Sequence, residues 1–195
     1  MTFGKLIVLY GINNLGKSTQ ARLLVLRLQK EGYPAEYLKY PIYNLEPSGS
    51  LINDYLRAGN PYQLSPREAQ LLYVLNRTQF EPTLKEKLSQ GIHIIAEDYI
   101  GTGLAWGIGA GVNENFMKTI NSHLWREAMA FLFTGERFVK ATEIDHQHET
   151  NETLMKKVKQ VHEQLGQIYG WIPIAANQPT QIIHELLWQH CCTNL

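Results

Sequence analysis

Short apolar runs alternate with stretches of helical spacing along the whole chain. "KLIVLY" (residues 5–10) is a continuous apolar run closed by Gly11, the pattern of a strand buried on both faces. From Lys17 to about Lys30, Leu23, Leu24 and Leu28 recur on one side, and Gly32 stands where a helix would end. "AEYLKY" (35–40) predicts a second strand, stopped by Pro41. Leu51, Ile52, Tyr55 and Leu56 predict a short helix ending near Gly59. "SPRE" (65–68) marks a helix start, with Ser65 as cap, Pro66 in the first turn and Glu68 completing a capping box. That helix runs through "AQLLYVLNRTQF", is interrupted at Pro82 and resumes to Gln90. "HIIAE" (93–97) and "AMAFLF" (128–133) predict the third and fourth strands. Leu154, Val158, Val161, Leu165 and Ile168 step by three and four. They predict a long amphipathic helix with Lys156, Lys157 and Lys159 on its solvated side. "WIPIA" (171–175) predicts the fifth strand and "TQIIHELLWQH" (180–190) a closing helix.

Strands alternating with helices define an α/β fold, a parallel sheet covered on both faces. Ligands of such sheets gather at the carboxyl ends of the strands. A length of 195 residues with 44% hydrophobic content suits one domain over 1–195. Eighteen basic side chains balance eighteen acidic ones, so no nucleic-acid polymer and no acidic membrane surface is expected as partner. No apolar run approaches the ~20 residues of a membrane span. Cys191 and Cys192 are neighbours that cannot staple distant segments, which points to a reducing cytoplasm.

The chemistry begins at "GINNLGKST", which fits G-x-x-x-x-G-K-[ST] between a strand and a helix. Gly11 and Gly16 let the backbone curl so that N–H groups, Asn14 and Thr19 among their carriers, face phosphate oxygens. Lys17 reaches the β- and γ-phosphates of ATP, and the Ser18 hydroxyl joins the shell of Mg²⁺. A switch GTPase would add N-K-x-D or T-K-x-D, and none of Asp54, Asp98 and Asp145 has a lysine two positions before it. "YVLNR" sets Tyr73 and Arg77 four apart on one helical face, with Gln70 on the same stripe. An aromatic plate beside a guanidinium suits a base and its phosphate. The third strand ends in two adjacent carboxylates, Glu97 and Asp98, followed by a small-residue turn, "GTG", and Trp106.

Taken in order, these elements resemble the thymidylate kinase family over nearly the whole chain. The matching phrases are "GKSTQ", Tyr40–Pro41 after the second strand, Tyr73 to Arg77 with "NR", "KEKLSQG" before the third strand, "EDY" with "TGLAW", and the late "GWIPIAANQ". The resemblance implies a P-loop nucleoside monophosphate kinase fold with a five-stranded parallel sheet and a lid, here about 141–152. It implies transfer of the γ-phosphoryl of ATP to dTMP with Mg²⁺, and a homodimer. Carried over by matching position, Tyr73 would stack on thymine and Arg77 would hold the acceptor phosphate. Trp106 would crowd the 2′ position and favour deoxyribose. Thr102 and Gly103 would line the base pocket, with Asn13, Pro41, Tyr43 and Tyr99 around the acceptor. Asn177 and Gln178 would lie by the adenine, and Glu97, with Ser18, would face the metal.

The chain departs from the family pattern where arginines are expected. Asn13 replaces an aspartate, Ile42 and Tyr43 occupy a loop that carries an arginine in the family, and no arginine follows Arg137. The segment 141–152 offers His146, His148 and acids instead. Asp98 itself stands in an arginine's place. The residues leave two roles open for it: pairing with Arg77 or a Mg²⁺-bound water as part of the catalytic set, or capping the turn that follows. A kinase for another deoxynucleotide or a deoxynucleoside, or a nucleotide-binding protein of low turnover, are the alternatives these departures raise.

Overall fold

The computed structural model describes residues 3–138 and 151–195. In chain order the elements are β1 (Leu6–Tyr10), α1 (Lys17–Lys30), β2 (Ala35–Lys39), α2 (Ser48–Arg57), α3 (Pro66–Ser89), β3 (His93–Glu97), α4 (Ile100–Gly109), α5 (Glu114–Asn121), β4 (Met129–Thr134), α6 (Glu152–Tyr169), β5 (Ile172–Ala175) and α7 (Thr180–Cys192). The strands form one sheet in the order β2-β3-β1-β4-β5, with every neighbouring pair parallel. The chain leaves β1 toward β2 on one side and leaves β3 toward β4 on the other. The carboxyl ends of β1 and β3 therefore flank the crevice where doubly wound sheets take ligands.

The two central strands are apolar throughout because both their faces are covered, and β1 and β3 are buried at every position. The capping box forms as read: the Ser65 side chain accepts from the Glu68 N–H and Glu68 accepts from the Ser65 N–H. Three expectations need correction. Pro82 does not interrupt α3, which is one helix of 24 residues held by buried Glu81, Leu84 and Leu88 around the proline. Ile168 is 64% exposed, because the buried stripe of α6 passes through Met155, Val158, His162 and Leu165 instead.

The "GTG" stretch is not a turn but the first part of α4. Glycine is a poor helix former, yet close packing outweighs propensity here. A Cβ at Gly101 would stand 2.5 Å from the Trp171 ring, and one at Gly107 would stand 2.6 Å from Met117. The glycines let α4 settle against its neighbours, and α5, which the sequence reading passed over, starts on an Asn113 cap. The expected lid, with His146 and His148, lies outside the described residues except for Asn151 and Glu152, which open α6.

Candidate active site

The loop between β1 and α1 is set by backbone conformation. Gly11, Asn14 and Gly16 all have positive φ, at 131°, 63° and 79°. A Cβ at Gly11 would lie 2.6 Å from the Phe133 carbonyl oxygen, so only glycine fits there. The Asn14 carbonyl accepts from the Phe138 N–H at 2.9 Å. Lys17, the first residue of α1, is buried. Its ammonium donates to the Gly11 and Ile12 carbonyls at 2.9 and 2.8 Å and stands 3.7 Å from Asp98 Oδ1.

The strand-end acids have different surroundings. Glu97 accepts from the Tyr37 hydroxyl at 2.7 Å and pairs with the Lys39 ammonium at 3.2 Å. Burial pushes its carboxyl up, but Lys17, Lys39 and hydrogen bonds from Ser18 and Tyr37 outweigh burial and hold it below the usual range. Asp98 accepts from the Thr102 hydroxyl at 2.9 Å. For Asp98 burial is the largest influence; Lys17 opposes it, Glu97 adds to it, and the carboxyl lies above the usual range. Asp98 also turns the chain from β3 into α4 with a φ of 63°, a conformation that aspartate and asparagine tolerate better than most residues. The structure gives neither role as expected: the cation beside Asp98 is Lys17 and not Arg77, and α4 has no side-chain cap on its backbone. Asp98 instead braces the first turn of α4 through Thr102.

Tyr73 and Arg77 share one face of α3, as their spacing requires, and both line the main cavity. Arg77 is buried, its Nη1 donates to Asn121 Oδ1 at 3.0 Å, and burial lowers the pKa of its guanidinium. The cavity measures about 620 Å³ and is continuous from the phosphate loop to this face. Asn13, Asn14, Gly16, Lys17, Ser18 and Thr19 line one end, and Pro41, Tyr43, Tyr73 and Arg77 line the other. Glu97, Asp98, Tyr99, Thr102, Gly103 and Trp106 complete the wall. Trp106 is only 7% exposed and packs into the core as well as facing the cavity.

Asn177 and Gln178 do not line this cavity. The Asn177 amide is committed to the backbone of Glu136, accepting from its N–H at 2.6 Å and donating to its carbonyl at 2.9 Å. Among the polar cavity residues, Lys39, Arg57 and Asn76 have no assigned role in the sequence analysis. Lys39 comes from β2, whose register places it opposite Glu97. Arg57 ends α2 with its guanidinium 4.8 Å from the centre of the Tyr43 ring. Asn76 is fully buried and holds both backbone groups of Ile42 and the Ser48 hydroxyl at 2.8–2.9 Å, fixing the loop that carries Pro41 and Tyr43. For Asn76 the available signal was its place directly before Arg77 in "NR".

The fold and this cavity define a P-loop kinase of the nucleoside monophosphate kinase class. A family model described as thymidylate kinase matches residues 9–187, and the chain belongs to that family. It is 39% identical to human thymidylate kinase over 113 residues, which cover 58% of this chain and 50% of the human protein. It is 28% identical to the Plasmodium falciparum thymidylate kinase over 186 residues, covering 93% and 87% of the two chains. The solved thymidylate kinase of Candida albicans superposes with a TM-score of 0.81 at 25% identity, covering 98% of this chain and 92% of that one.

Proposed function

We propose that the chain transfers the γ-phosphoryl group of ATP to dTMP, yielding ADP and dTDP. The observation that carries this reading is the continuity of one cavity from the phosphate loop to the Tyr73–Arg77 face, with the strand-end acids between them. Two phosphorylated substrates can meet in such a space with donor and acceptor in line. Phosphoryl transfer then needs positioning and charge neutralisation more than covalent help.

The phosphate loop offers backbone N–H groups to the ATP phosphates. Lys17 would exchange its contacts with the Gly11 and Ile12 carbonyls for phosphate oxygens. Tyr73 supplies the plate for thymine, and Arg77 and Gly103 bound the acceptor end. Pro41, Tyr43, Tyr99 and Thr102 shape its walls. Asn13 offers an amide to a sugar hydroxyl. Trp106 limits room beside the ribose. Asn177 and Gln178 are read as neighbours of the adenine, with Asn177 acting by holding the Glu136 backbone.

Ser18 and Glu97 fit Mg²⁺. They are hard oxygen donors already joined by a hydrogen bond, and Glu97 is held in its ionised form. Mg²⁺ in such sites is held by one or two protein oxygens together with substrate phosphates. When bound, the metal neutralises charge on the transferring phosphates.

The chain is read as one kinase domain acting as a cytoplasmic homodimer, in keeping with its family and its two free cysteines. No described helix is long and apolar enough to cross a membrane. A second reading, a deoxynucleoside kinase, is favoured by one observation: Asp98 puts a carboxylate where an acceptor phosphate would gain from a cation. The test of the main reading is ATP-dependent conversion of dTMP to dTDP by the purified chain. Lys17→Ala should lower turnover by about two orders of magnitude or more, because a charge-assisted phosphate contact is lost. Unchanged turnover in a folded Lys17→Ala protein would refute the reading.

A further inference from the structure

An acceptor phosphate must come close to the acids at the end of β3, because the phosphoryl group passes between the phosphate loop and the acceptor. Four cations line the cavity: Lys17, Lys39, Arg57 and Arg77. Lys17 lies within the phosphate loop and faces its carbonyls. Arg77 is enclosed beneath α4 and tied to Asn121. Arg57 stacks on Tyr43 at the side of the cavity. Lys39 differs from all three. Its side chain is 49% exposed although it lines the cavity, and its ammonium stands at the acid pair itself, 3.2 Å from Glu97.

The sheet fixes that position. Lys39 is the last residue of β2 and is paired in register with Glu97, so its Cα cannot drift from the acids. The next residues, Tyr40 and Pro41, begin the loop that Asn76 anchors against α3. Lys39 thus joins the phosphate-loop end of the cavity to its acceptor end. A lysine ammonium is a mobile point charge with three donors, and one ion pair at 3.2 Å leaves donors for a second anion.

From this geometry we propose that Lys39, in addition to Arg77 at the acceptor end, is a cation that receives the acceptor's phosphate, pairing with Glu97 until the acceptor arrives. The inference rests on the dTMP reading above and assigns a residue to its phosphate. Glu97 does not lose its compensation when Lys39 turns away, because Tyr37 and Ser18 still donate to it and Lys17 remains near. Lys39 also answers the charge problem set by Asp98, since it lies close enough to both acids to feel each of them.

The test compares dTMP with thymidine, which lacks the phosphate, by isothermal titration of the wild-type chain and of Lys39→Met. Methionine keeps the apolar stem and removes the charge. The expected result is a loss of dTMP affinity of about tenfold or more, as for a lost charge-assisted hydrogen bond. Thymidine and ADP affinities should stay within about twofold, since neither would meet Lys39 through an acceptor phosphate. Lys39→Arg should recover most of the dTMP affinity. A double variant, Lys39→Met with Glu97→Gln, separates direct contact from simple screening. If Lys39 touches the phosphate, the double variant stays weak for dTMP. Recovery of affinity in the double variant would show that Lys39 only masks Glu97, and would overturn the proposal. Equal losses for dTMP and thymidine in Lys39→Met would also overturn it, as would unchanged dTMP affinity. Wild-type protein that fails to bind dTMP at all would remove the functional reading itself, and this inference with it.

Discussion

Gly103 of α4 lies directly against the guanidinium of Arg77: a Cβ at position 103 would stand 2.4 Å from Nη2 and 2.9 Å from Nη1. The absence of a side chain is what lets a buried arginine sit beneath this helix and still line the cavity. Gly103→Ala should therefore displace Arg77, whose other side is held by Asn121. Overpacking of this kind costs about 1–3 kcal/mol. The acceptor KM should rise about tenfold, as for a lost contact of ~1.4 kcal/mol, while the KM for ATP changes little. Steady-state kinetics with each substrate varied in turn would check the split. An ATP KM that rises as much as the acceptor KM would place Arg77 outside the acceptor end.

Trp106 serves both the core and the cavity wall, so the choice of variant matters. Trp106→Ala would remove a side chain that is 93% buried and cost about 3–5 kcal/mol in stability, which would obscure any effect on specificity. Trp106→Phe keeps most of the packing while opening space. It should narrow the preference for deoxy- over ribonucleoside monophosphate, read as a ratio of kcat/KM values. An unchanged ratio in a stable variant would assign Trp106 to the core alone.

The elements most legible in the sequence were those whose local signals agreed with their tertiary role. β1 and β3 read as buried strands because both their faces are covered, and Ser65 and Glu68 declared the start of α3 within four residues. Tyr73 and Arg77 were found because helical spacing alone places them together. α4 was missed because Gly101, Gly103, Gly107 and Gly109 argue against a helix locally. Their reason lies in what they touch: Trp171, Arg77 and Val158, distant in sequence, and Met117 of α5. Lys39 was missed for a related reason, since only the β2–β3 register reveals that it faces Glu97. Lys17 was not among the partners expected for Asp98, Arg77 and a Mg²⁺-bound water, because the turn that its positive φ creates is not legible in the sequence.

His162 gives the fold a pH dependence. It is buried in α6 and lines a small cavity behind the phosphate loop, beside Gly11, Ile12 and Leu15. Its Nδ1–H donates to the Val158 carbonyl at 3.0 Å, and burial, with Lys17 adding to it, pushes its pKa down to about 3. The unfolded chain takes up this proton near pH 6.5, whereas the folded chain does not until about pH 3. Stability is therefore lost as pH falls from the unfolded value toward the folded one. At pH 5 the loss from this group is about 2 kcal/mol. Denaturant unfolding of wild type and His162→Gln at pH 7 and pH 5 would isolate it. The variant should lose less stability between the two pH values; an equal loss would mean that the imidazole is not held neutral.

On the reading proposed here, this cavity takes a nucleoside monophosphate as acceptor. The most direct measurement is a comparison of kcat/KM for ATP–Mg²⁺ against dTMP, the other deoxynucleoside monophosphates and the free deoxynucleosides, with product identified as ADP plus the phosphorylated acceptor. The account predicts dTMP as the best acceptor, with thymidine at least about a hundredfold poorer, since it lacks the phosphate-held positioning worth roughly 2.7 kcal/mol or more. A free deoxynucleoside turned over better than dTMP would contradict it, and would mean that Glu97 and Asp98 face a hydroxyl rather than a phosphate.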